Sequence, residues 1–180
     1  MTISLRPPSQ TAAERHHAAA EQATPSYPSP GRFHELDRRY EFEAGAGGLE
    51  IAREVLADWA MHRGAGVHSH GPAPATGSTV TLWTRVFGAW LLFGCRVTDV
   101  IDTDDACGFT YVTLPGHPEL GEETFMVTAL ADHRLELRIT ATSRPGMVLT
   151  RLAGPIGSVL QRRATDRYAA SLEAELRTRA

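Results

Sequence analysis

Four side chains capable of proton transfer lie within one short stretch of the sequence. Tyr111 and His117 precede the adjacent carboxylates Glu122 and Glu123. A phenol, an imidazole and a carboxyl group can each give or take a proton, so these four are the candidate catalytic residues. The dipeptide Pro115-Gly116 predicts a tight turn that would hold His117 rigidly.

Glu122 and Glu123 occupy neighbouring positions of a predicted strand, so their side chains should point to opposite faces. One carboxylate must then face inward, where it needs a partner or its pKa rises. Arg96, Arg138 and Arg144 lie on or beside neighbouring predicted strands and are candidate partners or ligand-binding residues. Two interpretations remain open. One is a Glu–Arg pair that closes the mouth of the sheet. The other is a carboxylate that acts as a general acid or recognises a ligand.

Apolar residues alternate along the same strands and could line a ligand cavity. The candidate lining residues are Leu91, Phe93, Cys95, Phe109, Phe125 and Val127. Tyr111 would add a polar group to this surface if its strand face points inward, although plain core packing is the favoured interpretation.

Other chemistries find little support in the sequence. All 18 basic residues are arginine, which excludes a Schiff-base lysine and a P-loop lysine. His68 and His70 have a spacing seen in metal sites, and His62 lies nearby, but a third ligand is not evident. We therefore expect no metal and no cofactor.

The hydrophobic pattern predicts an α+β fold. A short strand at 39–43 and an amphipathic helix at 49–61 come first, and residues 62–78 are predicted to be mainly loop. Five strands with short connections follow, which must be antiparallel. They are predicted at 79–86, 90–101, 108–114, 122–130 and 135–142. A long helix should follow Pro145-Gly146, kinked or restarted at Pro155, and bury one face of the sheet.

The first 32 residues are rich in Ala, Pro and Ser. They predict a flexible N-terminal extension with a short helix at 11–22. Residues 33–180 would then form a single domain.

Charge and cysteine content limit the classes of partner and the cellular compartment that we expect. The net charge of -3 argues against nucleic acid and against an anionic membrane as partners. No apolar run approaches the roughly 20 residues that span a bilayer, and the N-terminus lacks a secretory signal. We therefore expect a cytoplasmic protein, in which Cys95 and Cys107 are buried thiols rather than a disulfide.

One long string carries a resemblance to a known family. Phe109-Thr-Tyr-Val-Thr-Leu-Pro-Gly-His-Pro-Glu-Leu-Gly-Glu-Glu-Thr-Phe125 resembles the signature of the DUF1990 domain, a family of bacteria and plants. Residues 90–97, 139–145 and 155–168 agree, so the resemblance covers about residues 37–176.

The DUF1990 family resembles the helix-grip superfamily of START-type and pollen-allergen-like proteins. This resemblance implies a curved antiparallel sheet of six to seven strands wrapped around a long C-terminal helix. It also implies binding of a small hydrophobic or polyketide-like molecule in an internal cavity. The alternative is a cofactor-free cyclase, isomerase or hydrolase that acts on such a molecule in the same cavity. We expect the protein to be a monomer or homodimer.

Overall fold

The computed structural model describes residues 2–25, 33–145 and 154–179; it leaves the side chains of 145 and 154–160 undescribed. The elements are β1 (Thr2–Ser4), α1 (Gln10–Glu21), β2 (His34–Glu43), α2 (Gly48–Ala57), α3 (Ala60–Gly64), β3 (Val67–His70), β4 (Thr79–Val86), β5 (Ala89–Asp102), β6 (Ala106–Thr113), β7 (Glu119–Ala129), β8 (Arg134–Pro145) and α4 (Gly154–Arg179). A single 3-10 turn, Ala131–His133, joins β7 to β8.

The strands form one antiparallel sheet of eight strands in the order β2-β8-β7-β6-β5-β4-β3, with β1 paired to β5. β1 occupies the edge of β5 beyond the point where β6 ends, opposite Trp90 to Leu92. The predicted α+β class and the antiparallel strands are confirmed. The sheet is larger than predicted, because β1 and β3 are short and carry few of the alternating residues that mark longer strands.

Alternation along the strands gives the sheet one face that packs against α2, α3 and α4; we call it the inner face. The core joins side chains of α2, α3 and α4 to those of this face, among them Val55, Met61, Leu82, Phe109, Phe125, Leu137 and Leu172. Burial of a side chain of this size stabilises the fold by about 1.5–3 kcal/mol.

The helix predicted at 49–61 is interrupted, and the break separates α2 from α3. Trp59 adopts a left-handed backbone conformation with φ of 57°, which a helix cannot contain. Its buried indole packs on Phe109, and the indole N–H donates to the carbonyl of Pro72 at 2.8 Å. Tertiary packing of the large side chain therefore overrides the local helical pattern, and α3 turns His62 toward the core.

The long C-terminal helix covers the inner face, as predicted. α4 begins at Gly154, so Pro155 stands in its first turn, where its missing N–H costs nothing. The 26 residues of α4 span about 39 Å at 1.5 Å per residue. The predicted helical residues before 154 lie outside the described residues. α4 packs closely on α3, where a Cβ on Gly64 would lie 2.0 Å from Oγ of Ser171.

The N-terminal segment packs on the opposite, outer face of the sheet. α1 is capped by Ser9, whose side chain accepts from the N–H of Ala12. The helix lies so close to β5 that a Cβ on Gly94 would come within 3.0 Å of Cβ of Ala20. The predicted short helix is thus present, but residues 2–25 differ from the flexible extension predicted, because small side chains let α1 dock. Residues 26–32 lie outside the described part.

Candidate functional site

Tyr111 and Glu123 form a hydrogen-bonded pair on the inner face. They stand opposite each other in the register of β6 and β7. The Tyr111 hydroxyl donates to Oε2 of Glu123 at 2.7 Å. The sequence predicted both as candidate catalytic residues, and the structure brings them together. The inward carboxylate is thus paired with a phenol and not, as one interpretation held, with an arginine.

The Glu123 carboxyl has a raised pKa, so it is partly protonated near neutral pH. Burial raises the pKa of its carboxyl from 4.5 to about 7, and the hydrogen bond from Tyr111 lowers it only in part. The side chain retains some accessible surface, yet the protein surrounds it densely enough for burial to dominate. Burial and the neighbouring Glu123 raise the pKa of Tyr111, so its phenol keeps its proton. A carboxyl group that is half protonated near neutral pH can act as acid or base.

Aromatic rings surround this pair. The ring centroids of Phe125 and Tyr111 are 5.8 Å apart, and those of Phe109 and Tyr111 are 6.0 Å apart. Tyr168 of α4 contacts Phe125 at 5.1 Å. Burial and the charge of Glu123 raise the pKa of Tyr168. The surroundings are apolar and aromatic, with few polar groups.

The predicted lining residues Cys95, Phe109, Phe125 and Val127 all belong to the core on the inner face, and Phe93 packs against it. Burial and the charge of Glu123 raise the pKa of Cys95 well above its ordinary value. Cys95 and Cys107 are free buried thiols, as predicted.

His62 is the residue of this site that sequence reasoning missed. It is fully buried, and within the described residues neither ring nitrogen has a hydrogen-bond partner. Its ring lies 4.8 Å from Tyr168 and 4.9 Å from Phe125. Burial lowers its pKa from 6.5 to about 3, so the imidazole is neutral. The spacing Val55, Trp59, His62 continues the buried stripe of the preceding helix, which was the available signal.

His117 lies apart from the Tyr111–Glu123 pair. Its ring contacts Phe93 edge-on at 4.5 Å, and Nδ1 accepts from the backbone N–H of Glu119 at 3.0 Å. Burial lowers its pKa to about 4, so the ring is neutral. These contacts place His117 at the β6–β7 turn, where it holds the hairpin, and none of them involves Glu123.

Three predicted site residues lie on the outer face. Glu122 is exposed, one position from the inward Glu123, as strand alternation requires. Arg138 pairs with Asp37 at 2.7 Å near solvent. Arg96 donates to the last carbonyls of α1, those of Ala20 at 3.0 Å and Glu21 at 2.9 Å. These positions correct their assignment to an inner ligand site.

Arg144 lies on β8 opposite Leu120, in the outer register, with its guanidinium 5.8 Å from the ring centre of Phe33. Strand alternation places Arg144 on the outer face, and Ser143 holds the inward position beside it. Ser143 donates to Glu119 at 2.9 Å.

His68 and His70, whose spacing resembles that of metal ligands, contact different aromatic rings. His68 stacks on Trp83 at 5.5 Å, and His70 packs edge-on against His17 at 5.2 Å. Among residues 2–25, 33–145 and 154–179, no group of three or more His, Cys, Asp or Glu side chains could hold a metal ion. In the same part of the chain, no helix is long and apolar enough to cross a membrane.

A separate surface cleft of about 370 Å³ lies where β2, β8 and α4 meet. Both of its arginines are already paired, because Arg134 pairs with Glu41 at 2.6 Å and Arg177 pairs with Glu173. The cleft is lined by Glu41, Phe42, Glu43, Arg134, Glu173 and Arg177. With both arginines neutralised, it is a weaker candidate than the inner face.

Known proteins resemble this chain in sequence and in fold. A UPF0548 protein of Deinococcus radiodurans is 31% identical, over 93% of this chain and 96% of its own length. The Zhui aromatase/cyclase from Streptomyces sp. R1128 superposes with a TM-score of 0.61 at 15% identity, covering 82% of this chain and 96% of its own. A START superfamily protein from Mycobacterium smegmatis superposes with a TM-score of 0.62 at 14% identity, covering 82% of this chain and 99% of its own.

The structural likenesses confirm the predicted helix-grip fold: a curved antiparallel sheet closed by a C-terminal helix. The family model described as a domain of unknown function (DUF1990) matches residues 17–171. The match begins inside α1, twenty residues before the start of the resemblance seen in the sequence. The chain belongs to the DUF1990 family.

Proposed function

We propose that the protein binds a small hydrophobic molecule between the inner face of the sheet and α4. The hydrogen-bonded pair of Tyr111 and Glu123 carries this proposal, because it is an ionisable pair set among aromatic rings. A mainly apolar wall with a few well-placed polar groups is typical of a ligand site. The helix-grip fold, shared with an aromatase/cyclase, supports the proposal.

The chemistry of the Tyr111–Glu123 pair limits the classes of ligand that would fit. The protonated Glu123 carboxyl can donate to a ligand oxygen, and the carboxylate can accept from a ligand hydroxyl. An anionic ligand would meet repulsion from the ionised fraction of Glu123 and desolvation in an aromatic site. We therefore propose a neutral, largely aromatic molecule with a hydroxyl or carbonyl group, as a polyketide-like compound would be.

Binding should be linked to protonation of Glu123. A ligand that displaces water from the carboxyl group disfavours its charged form and raises its pKa further. The complex then holds more protons than the free protein, so a neutral ligand should bind more tightly at pH 6 than at pH 8. The neutral dye Nile red is a suitable probe, and its fluorescence can be titrated at both pH values.

Glu123→Gln keeps the size and a hydrogen-bond acceptor but removes the titration. Its affinity for Nile red should be the same at pH 6 and pH 8. Tyr111→Phe should weaken the binding of a ligand that uses the hydroxyl by about 3- to 10-fold, the value of one hydrogen bond. Glu122→Gln, the neighbouring carboxylate on the outer face, is the matched control and should behave as the wild type.

Native mass spectrometry of protein purified from its own host would identify the ligand class directly. A bare chain mass together with no binding of Nile red would refute the proposal. The same holds if Glu123→Gln retains the full pH dependence of the wild type.

A catalytic use of the same site is the second candidate. The observation in its favour is the pKa of about 7 at Glu123, because a group matched to neutral pH is suited to general acid–base catalysis. A cofactor-free cyclase, isomerase or hydrolase would lose turnover in Glu123→Gln while the variant still bound the molecule. A binding protein would return the molecule chemically unchanged.

A further inference from the structure

The net charge of -3 conceals an uneven distribution of charge along the chain. Residues 59–98 contain Arg63, Arg85 and Arg96 but neither Asp nor Glu. Residues 1–13 contain Arg6 and again no acidic residue. These two segments supply β1, β3, β4 and the first part of β5, which are neighbours in the sheet. Arg63 is paired with Asp58 at 2.6 Å, and Arg96 lies opposite Thr79 at the far end of β4. Among the described residues, the end of the sheet at the β4–β5 turn is therefore cationic through Arg6 and Arg85 alone.

Three large apolar side chains are exposed at this same end. Phe87 is 81% exposed, Leu5 86% and Ile3 51%. Phe87 stands at the tip of the two-residue β4–β5 turn, between the paired residues Val86 and Ala89. Ser4 pairs with Trp90, so the β1 strand carries Leu5 to this turn. We call Ile3, Leu5 and Phe87 the apolar tip.

Phe87 has no local structural reason to be phenylalanine. Its φ is 49° and that of Gly88 is 88°, the left-handed pair of a type I′ turn. Asn is strongly preferred at the first position of such a turn, and a bulky side chain there carries a conformational cost. With most of its surface in water, Phe87 recovers little of that cost by packing.

Two arginines flank the apolar tip. Arg6 follows Leu5 directly, and Arg85 lies two residues before Phe87; both are exposed. Nε of Arg85 donates to the carbonyl of Gly88 at 3.4 Å, which holds its guanidinium beside the turn. Exposed apolar side chains next to cationic ones have the chemistry of a segment that sits at an anionic lipid surface.

We propose that the apolar tip docks peripherally on an anionic membrane, with Phe87 and Leu5 in the headgroup region and Arg6 and Arg85 at lipid phosphates. A narrow turn with three protruding side chains suits insertion between headgroups. It offers little of the roughly 800 Å² per partner that a stable protein interface needs. The proposal goes beyond the inner-face site and does not require that site to be occupied.

The test is sedimentation of the full chain with vesicles. The protein should bind vesicles of phosphatidylcholine with phosphatidylglycerol, and bind phosphatidylcholine alone more weakly. Binding should weaken in about 1 M salt, where the Debye length falls to about 3 Å. Phe87→Asn should reduce the partition coefficient about tenfold, the value of withdrawing one large apolar side chain from the interface.

Phe87→Asn separates loss of the apolar side chain from loss of folding. It creates the Asn-Gly pair that this turn favours, so the fold should be retained or stabilised. Val100→Thr is the matched control, since Val100 is 38% exposed near the far end of β5. It should bind vesicles as the wild type does.

The proposal is overturned if the wild type binds neither vesicle, or if Phe87→Asn binds as tightly as the wild type. It is also overturned if sedimentation velocity shows a dimer that Phe87→Asn dissociates, because the tip would then contact a second copy of the chain.

Discussion

Replacing His62 should make the protein less sensitive to acid. The imidazole is fully buried among aromatic rings, and its pKa is about 3 in the folded protein against an ordinary 6.5. Burial is the main cause, with a smaller contribution from Arg63. The unfolded chain therefore takes up a proton at His62 well before the folded chain does. Stability at this site is fully present above pH 6.5 and is lost as the pH falls from 6.5 toward 3.

The magnitude follows from these two values. At pH 5 the His62 imidazole of the folded protein is still neutral. In the unfolded chain its pKa is 6.5, so pH 5 lies about 1.5 units below that pKa and the imidazole is protonated. At about 1.4 kcal/mol per unit, His62 should cost the fold about 2 kcal/mol between pH 7 and pH 5. That is a large part of the stability of a domain whose total is about 5–15 kcal/mol.

Two variants separate titration from burial. His62→Gln removes the titration but leaves a buried polar group, so it should be less stable than the wild type at pH 7 yet lose about 2 kcal/mol less on going to pH 5. His62→Leu removes both costs and should also retain its stability at pH 7, because the ring nitrogens have no partner to lose.

Urea unfolding at pH 7 and pH 5 measures these differences. The pKa values of His16, His17 and His117 are also lowered by burial, but these residues are present in all three proteins, so their effect cancels. The reasoning is refuted if the wild type and both variants lose equal stability between the two pH values.

Three further predictions concern packing. Gly94→Leu should push α1 away from the sheet, cost about 1–3 kcal/mol and expose the N-terminal segment to limited trypsin digestion. Gly64→Ala should destabilise the α3–α4 contact by a similar amount in thermal unfolding, and adding Ser171→Gly should restore part of the loss, since Ser171 is what the new Cβ meets. Cys95 and Cys107 are buried with raised pKa values, so a disulfide-exchange reagent should label two thiols only after unfolding; rapid labelling of the native protein would contradict their placement.

Several features of the site followed from local chain chemistry. Short turns between the strands require antiparallel neighbours, so β4 to β8 could be predicted in order. Strand alternation separates Glu122 from Glu123 whatever the rest of the fold does. Alternation along β5, β6 and β7 groups Phe93 with Cys95 and Phe109 with Tyr111, and these residues share the inner face of the sheet.

Other features depended on contacts between segments far apart in the sequence. Arg96 follows the inward Cys95 and so lies on the outer face by alternation, but only the docking of α1 there supplies the carbonyls of Ala20 and Glu21 that it contacts. The aromatic surroundings of His62 come from β7 and α4, since its ring contacts Phe125 and Tyr168.

The sequence by itself determined strands β4 to β8, their antiparallel pairing and which of their residues share a face, because these depend on spacing and short turns. Only the tertiary structure decided which face is inner, that Tyr111 meets Glu123, and which groups the outward arginines contact. Those outcomes depend on where α1, α3 and α4 pack, and the burial they impose sets the protonation of Glu123 and His62.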